Sequence, residues 1–219
     1  MSHTFFEQIW IARYVIMNGV GVTVSISLLA ILAGSLLGVF VGLALVYGDT
    51  VLRLTVRAYT DIIRGTPVLV LVLASYYVSS AVGLNLGPFS AGVLALTIFC
   101  SSHVGEIVRG ALQAIPKGQT EAAKAIGLTF SQTFTSVLWP QAMRQCLPAW
   151  VNTAAEMVKA STLLSVIGVA ELLLRTQEII SRNFMSLQFY FLAGALYFIV
   201  NFGIERFGKY VERKTALPS

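Results

Sequence analysis

The sequence predicts an all-α fold: a polytopic membrane bundle of five transmembrane helices with a helical loop on its cytoplasmic side. Three observations carry that prediction. Of 219 residues, 56% are hydrophobic and only 11% charged, whereas soluble domains carry about 25% charged residues. Runs without a charged side chain, long enough to cross a bilayer, extend from Tyr14 to Gly48 and from Gly65 to Gly105. Between the third and fourth apolar segments, residues 117–147 are too polar and too often interrupted for lipid. The length suits one bundle, 1–219, as a single domain.

The first span is expected at about 15–46, where Gly34, Gly38 and Gly42 form a stripe that allows close backbone approach. That stripe fits either the bundle interior or a second copy of the chain. The run from Gly65 to Gly105 is too long for one helix. Gly83 and the Gly87-Pro88 pair divide it into spans at about 65–82 and 89–108. A fourth span is expected at 150–173, despite Glu156 and Lys159 within it, and a fifth at 183–204.

Inside the loop, a first short helix over Gln119–Ile126 should stop at Gly127, the residue type that most readily adopts the left-handed C′ conformation. A second should begin after Thr129, because Thr129-x-x-Gln132 is a capping-box pattern. Pro140 and Pro148 fit first-turn positions of the pieces that follow.

Basic residues orient the bundle. With the N-terminus outside, Arg53, Arg57, Arg64, Arg109, Lys117, Lys124, Arg144, Arg206, Lys209, Arg213 and Lys214 fall inside. Arg13, Arg175 and Arg182 fall outside, and Lys159 within the membrane. This bias places the loop and the C-terminus in the cytoplasm. The net charge of +5 then belongs to loops facing an anionic leaflet and not to nucleic acid. The N-terminal stretch MSHTFFEQIWIARYV lacks the pattern of a removable signal peptide. Cys100 and Cys146 have no metal-site spacing. No G-x-x-x-x-G-K-[ST], H-E-x-x-H, G-x-S-x-G or paired-carboxylate pattern occurs, so no catalytic residue, cofactor or metal is assigned to this chain.

Glu121-Ala122-Ala123, three residues, Gly127, nine residues, then Val137-Leu138-Trp139-Pro140 closely resembles the E-A-A-x3-G-x9-I-x-L-P loop of permease subunits of binding-protein-dependent ABC importers. Val137 and Trp139 depart from the pattern but remain apolar. Arg64-Gly65-Thr66-Pro67, Glu106 to Gln119 and Lys159 to Leu172 are similar to segments of the polar amino-acid uptake type. The resemblance implies that the first short helix, with Glu121, Ala122, Ala123 and Gly127, is a coupling helix docking on a separate ATP-binding subunit, which holds ATP and Mg. It implies further partners: a second permease, identical or homologous, and an extracytoplasmic solute-binding protein. The bacterial cytoplasmic membrane is the implied location. A gradient-driven carrier or channel is the alternative. That class would need internal repeats or interrupted helices forming ion sites, and no duplicated half is visible.

For the substrate pathway, Glu156 and Lys159 lie three apart, on one helix face and able to pair. Charged groups in a span face an interior or an aqueous cavity, so Glu156 is a candidate for a substrate ammonium group, with Ser161 and Thr162 offering hydroxyls one turn on. His103, in the polar patch Ser101-Ser102-His103, is a further candidate, although hydrogen-bonded packing is the ordinary role of such a residue. Ala160 stands where the resembling family often has an acidic or amide residue, so substrate contacts do not carry over simply.

Overall fold

The computed structural model describes residues 4–215. These residues form helices and turns, with no strand among them. Helix α1 runs Phe5–Tyr47, α2 Thr50–Gly65, α3 Val68–Ala81, α4 Pro88–Ala114 and α5 Lys117–Ala125. Then follow α6 (Phe130–Thr133), a π-helical turn (Phe134–Leu138), α7 (Trp139–Ala160), a 3₁₀ segment (Ser161–Ile167), α8 (Leu172–Asn183) and α9 (Ser186–Thr215). Helices α1, α4 and α9 are each long and apolar enough to cross a membrane. The pairs α2–α3 and Phe130–Ile167 with α8 qualify only as bent spans, with bends of 109° and 52°.

The core is a close interlock of α1 with α4. A Cβ added at Gly34, Gly38 or Gly42 would lie 2.5, 2.6 or 2.6 Å from the Cβ of Cys100, Val104 or Val108. In return, Val41 fills the notch at Gly105, where an added Cβ would meet Val41 Cγ1 at 2.3 Å. The glycine stripe therefore serves the bundle interior. Contact numbers rise together along both helices, so α1 and α4 run parallel, and α2–α3 carry the chain back between them. Helix α7 runs against both α1 and α9: Trp150 Nε1 donates to Ser35 Oγ at 2.8 Å, and Val151 seats against Gly208. The direction of travel alternates through α1, α3, α4, α7 and α9.

Several boundaries differ from the sequence expectation. Helix α1 begins ten residues earlier than expected because Thr4 and Glu7 make a capping box, with Thr4 N–H donating to Glu7 Oε2 at 3.0 Å. Its added turns bring Ala12 to join Ile16 against Leu172, Ile179 and Phe189. Residues 50–65, read as a charged loop, form a helix of their own, stopped by Thr66-Pro67. The fourth span is not one helix over 150–173. It tightens at Ser161 into a 3₁₀ segment, where Ser161, Thr162 and Ser165 hydroxyls donate to carbonyls three residues back, and ends at Gly168 with φ +82°. Pro148 lies inside α7 and not in a first turn. Pro140 does sit in the first turn of α7, but that helix continues the π-helical turn without a break. The wider turn accommodates a residue that lacks an N–H and crowds the carbonyl four residues back.

Candidate functional site

Two regions are candidates for function: the elbow after α4, and one face of α7. The elbow lies at the end of the bundle where α1 and α4 finish. Its first arm, α5, ends in a Schellman motif: Leu128 N–H donates to Ala123 O at 3.0 Å and Gly127 N–H to Lys124 O at 2.9 Å. Gly127 has φ +80°, and nothing lies within 4 Å of a Cβ placed there, so its conformation alone demands glycine. The second arm opens on the capping box, with Thr129 N–H donating to Gln132 Oε1 at 2.9 Å and Gln132 N–H to Thr129 Oγ1 at 3.3 Å.

Aromatic packing fastens this elbow to the bundle. The Tyr47 ring, at the end of α1, sits edge-on to Phe130 at 5.4 Å and Phe134 at 5.8 Å. Trp139 lies 5.7 Å from Phe134, which gives the tryptophan a packing role of its own. Of the four residues expected at the docking face, Glu121, Ala122 and Gly127 are exposed. Ala123 is buried and seats α5 on the elbow. Two neighbours were not anticipated: Ile126 is 77% exposed and Phe130 66%. Together with Glu121 and Ala122 they make up the outer face of the turn.

On α7, Asn152, Glu156 and Lys159 are exposed and recur at helical spacing, continuing Gln145 and Pro148 along the same face. The expected Glu156–Lys159 pair does not form, since no contact within 4 Å joins the two carboxylate and ammonium groups. A polar, charged stripe on a membrane helix that the chain itself leaves uncovered must face water or another protein. Asn152 was missed from the sequence, although its four-residue spacing to Glu156 was available as a signal.

The other candidates turn inward. Ser161 is fully buried, and its hydroxyl is used by Val158 O at 2.8 Å, so it cannot line an open pathway. Thr162 is half-buried, with Oγ1 donating to Lys159 O at 2.7 Å. His103 is half-buried, with Nδ1 3.0 Å from Phe99 O and its ring 4.3 Å from the Phe99 ring. Ser101 is tied to Tyr59 at 2.6 Å. The patch at 101–103 is thus a satisfied packing cluster. Among the described residues, no group of three or more His, Cys, Asp or Glu could hold a metal.

Comparison with known proteins agrees with this layout. The family described as binding-protein-dependent transport system inner membrane component matches residues 30–217. The chain is 33% identical over 211 residues to the glutamine transport system permease protein GlnP of Escherichia coli (strain K12), covering 95% of this chain and 96% of that one. It is 30% identical over 201 residues to the probable amino-acid ABC transporter permease protein YckA of Bacillus subtilis (strain 168), covering 92% and 89%. A solved structure of an amino acid ABC transporter with histidines superposes with a TM-score of 0.89 at 33% identity, covering 98% of this chain and all of that one.

Proposed function

Because this chain belongs to the family of binding-protein-dependent transport system inner membrane components, whose members are permease subunits and not catalysts, we propose that it forms the pathway of an ATP-driven amino-acid importer. ATP is bound with Mg and hydrolysed on a separate subunit. The observation that carries this reading is the elbow. A short helix ends at a left-handed Gly127, presents Glu121, Ala122 and Ile126 to solvent, and the arm that follows is anchored to α1 by Tyr47 packed against Phe130 and Phe134. Movement imposed on such an arm passes to α1 through those rings and to α7, which continues the second arm without a break, and this is the mechanical requirement for coupling.

The polar stripe of α7 supports a second permease, identical or homologous, facing the first across a shared pathway. Glu156 and Asn152 then line that pathway, the carboxylate opposite a substrate ammonium group. Names of similar proteins support an amino acid as cargo. An extracytoplasmic solute-binding protein delivers it to the far end of the bundle. The basic-residue bias supports a cytoplasmic elbow in a bacterial cytoplasmic membrane.

The test is uptake of labelled amino acids into proteoliposomes holding the permease, its ATPase and its binding protein. ATP-dependent uptake that disappears when either partner is omitted is the expected result. Uptake by the permease alone along an ion gradient would overturn it.

A further inference from the structure

Helix α2 has two unlike faces, and the protein leaves the basic one only partly neutralised. Val51, Leu54, Ala58 and Ile62 recur at helical spacing on one face. Val51, Leu54 and Ile62 are 74%, 64% and 65% exposed. Arg53, Arg57 and Arg64 share the other side. The 109° bend to α3 lays α2 across the bundle instead of along it. An amphipathic helix in that attitude, with basic residues along one side, sits in the interface plane of a bilayer.

The arginines converge on one carboxylate. Arg109 grips Glu106 through both Nε and Nη2, its Nη2 at 2.6 Å from Oε2. Arg57 and Arg64 reach Glu106 only through Nη1, at 3.4 and 3.7 Å, and both side chains remain 43% exposed. Arg53 caps the Gly48 carbonyl at 3.0 Å. Asp61, within α2, pairs with none of these arginines, and Asp49, at its N-cap, accepts the Leu52 N–H instead. Four guanidiniums therefore stand against three carboxylates, Asp49, Asp61 and Glu106, and Arg57 and Arg64 keep most of their N–H donors for something outside the chain.

We propose that Arg57 and Arg64, at the junction of α2 and α4, bind the phosphate of an anionic phospholipid. Guanidinium groups bind phosphate through paired N–H donors. Free phosphate offers the same oxygens, but only a lipid also supplies chains for the exposed Val51, Leu54 and Ile62 face. The position of that lipid in the inner leaflet rests on the cytoplasmic elbow proposed above; the binding itself does not.

The experiment is native mass spectrometry of the full-length permease, purified with the subunits it carries and exposed to phosphatidylglycerol or phosphatidylcholine. Phosphatidylglycerol is retained in preference, and Arg57→Gln with Arg64→Gln lowers its retention roughly fivefold per guanidinium removed. Arg213→Gln, in the last turn of α9, leaves retention unchanged. Glu106→Gln frees the three guanidiniums and raises retention, a change in the opposite direction that loss of fold cannot imitate. Equal retention of both lipids, or retention indifferent to Arg57→Gln and Arg64→Gln, overturns the proposal. Displacement of phosphatidylglycerol by millimolar inorganic phosphate, with no preference between lipids remaining, overturns the lipid assignment. Because retention is read in detergent, it stands or falls separately from the topology.

Discussion

The Tyr197 hydroxyl donates to the buried Glu171 carboxylate, which also accepts the Leu174 N–H at 2.9 Å. One side chain thus caps α8 and fastens it to α9. Next to it, Leu172 N–H donates to Thr23 Oγ1 of α1 at 3.2 Å. Tyr197→Phe should leave the buried carboxylate short of a donor and cost about 1–3 kcal/mol. Glu171→Ala should cost more than Glu171→Gln, which preserves an acceptor for the cap. Thermal unfolding in detergent reads both, and unchanged midpoints would deny the junction any role in stability.

The interlock of α1 and α4 predicts a steep response to one added side chain. Gly38→Val would push a branched carbon into Val104 and separate two helices along their main contact. Overpacking of this kind costs typically about 1–3 kcal/mol. Pairing Gly38→Ala with Val104→Gly, which removes the Cβ that the new methyl group meets, should recover part of the loss suffered by Gly38→Ala alone. Yield of monodisperse protein and its unfolding midpoint are the measurements, and a double variant no better than the single one would argue against direct contact.

At Gly127 the space is open, so the penalty is conformational only. A side chain with Cβ should cost roughly 1 kcal/mol in the left-handed region, with a β-branched residue worst and asparagine mildest. Gly127→Val should insert normally, keep the unfolding midpoint of the bundle, and lose ATPase co-purification together with uptake. Gly127→Asn should retain both in large part. Full association and uptake with valine would remove this elbow from the coupling path.

Glu156→Gln should weaken uptake of a cationic or ammonium-bearing amino acid while leaving assembly intact. The side chain is exposed on the monomer and pairs with no residue, so folding gives no reason for a large stability change. Concentration dependence of uptake separates the outcomes: a raised KM supports contact with substrate, and unchanged kinetics exclude it.

Topology is tested by reporter fusions. A fusion near residue 85, in the turn between α3 and α4, should behave as external. One at Ser219, outside the described residues, should behave as cytoplasmic. Reversed signals would place the elbow on the wrong side for an ATPase.

Much of the bundle could be read from the chain, and the misreadings have physical causes. Charge-free runs located α1, α3 and α4, and the Gly127 and Thr129–Gln132 signals located the turn and the cap of the elbow, because those features act locally. Helix α2 escaped because its arginines were weighed as charges when their spacing also described a helical face. Prolines 140 and 148 were read as helix starts. That inference fails where a π-helical turn precedes one proline and tertiary packing carries the helix past the other. Ser161 looked like a pathway hydroxyl, but it continues the buried face of α7 formed by Ala154, Met157 and Val158. The partner of the glycine stripe was not legible at all, since nothing in the spacing of Gly34, Gly38 and Gly42 distinguishes α4 from a second chain.

Val41 and Gly105 act as key and keyway. The three glycines of α1 repeat every four residues, and so do Cys100, Val104 and Val108 opposite them. A slide of one helical turn would therefore set most of that row against equivalent partners, and the row alone leaves α1 free to ratchet along α4. A slide in either direction replaces Val41 with Leu37 or Leu45 at the notch, and neither has the branched, short shape that fits a missing side chain. Register along the largest contact in the protein is thus held by one valine. The interlock thereby opposes sliding of α1 along α4.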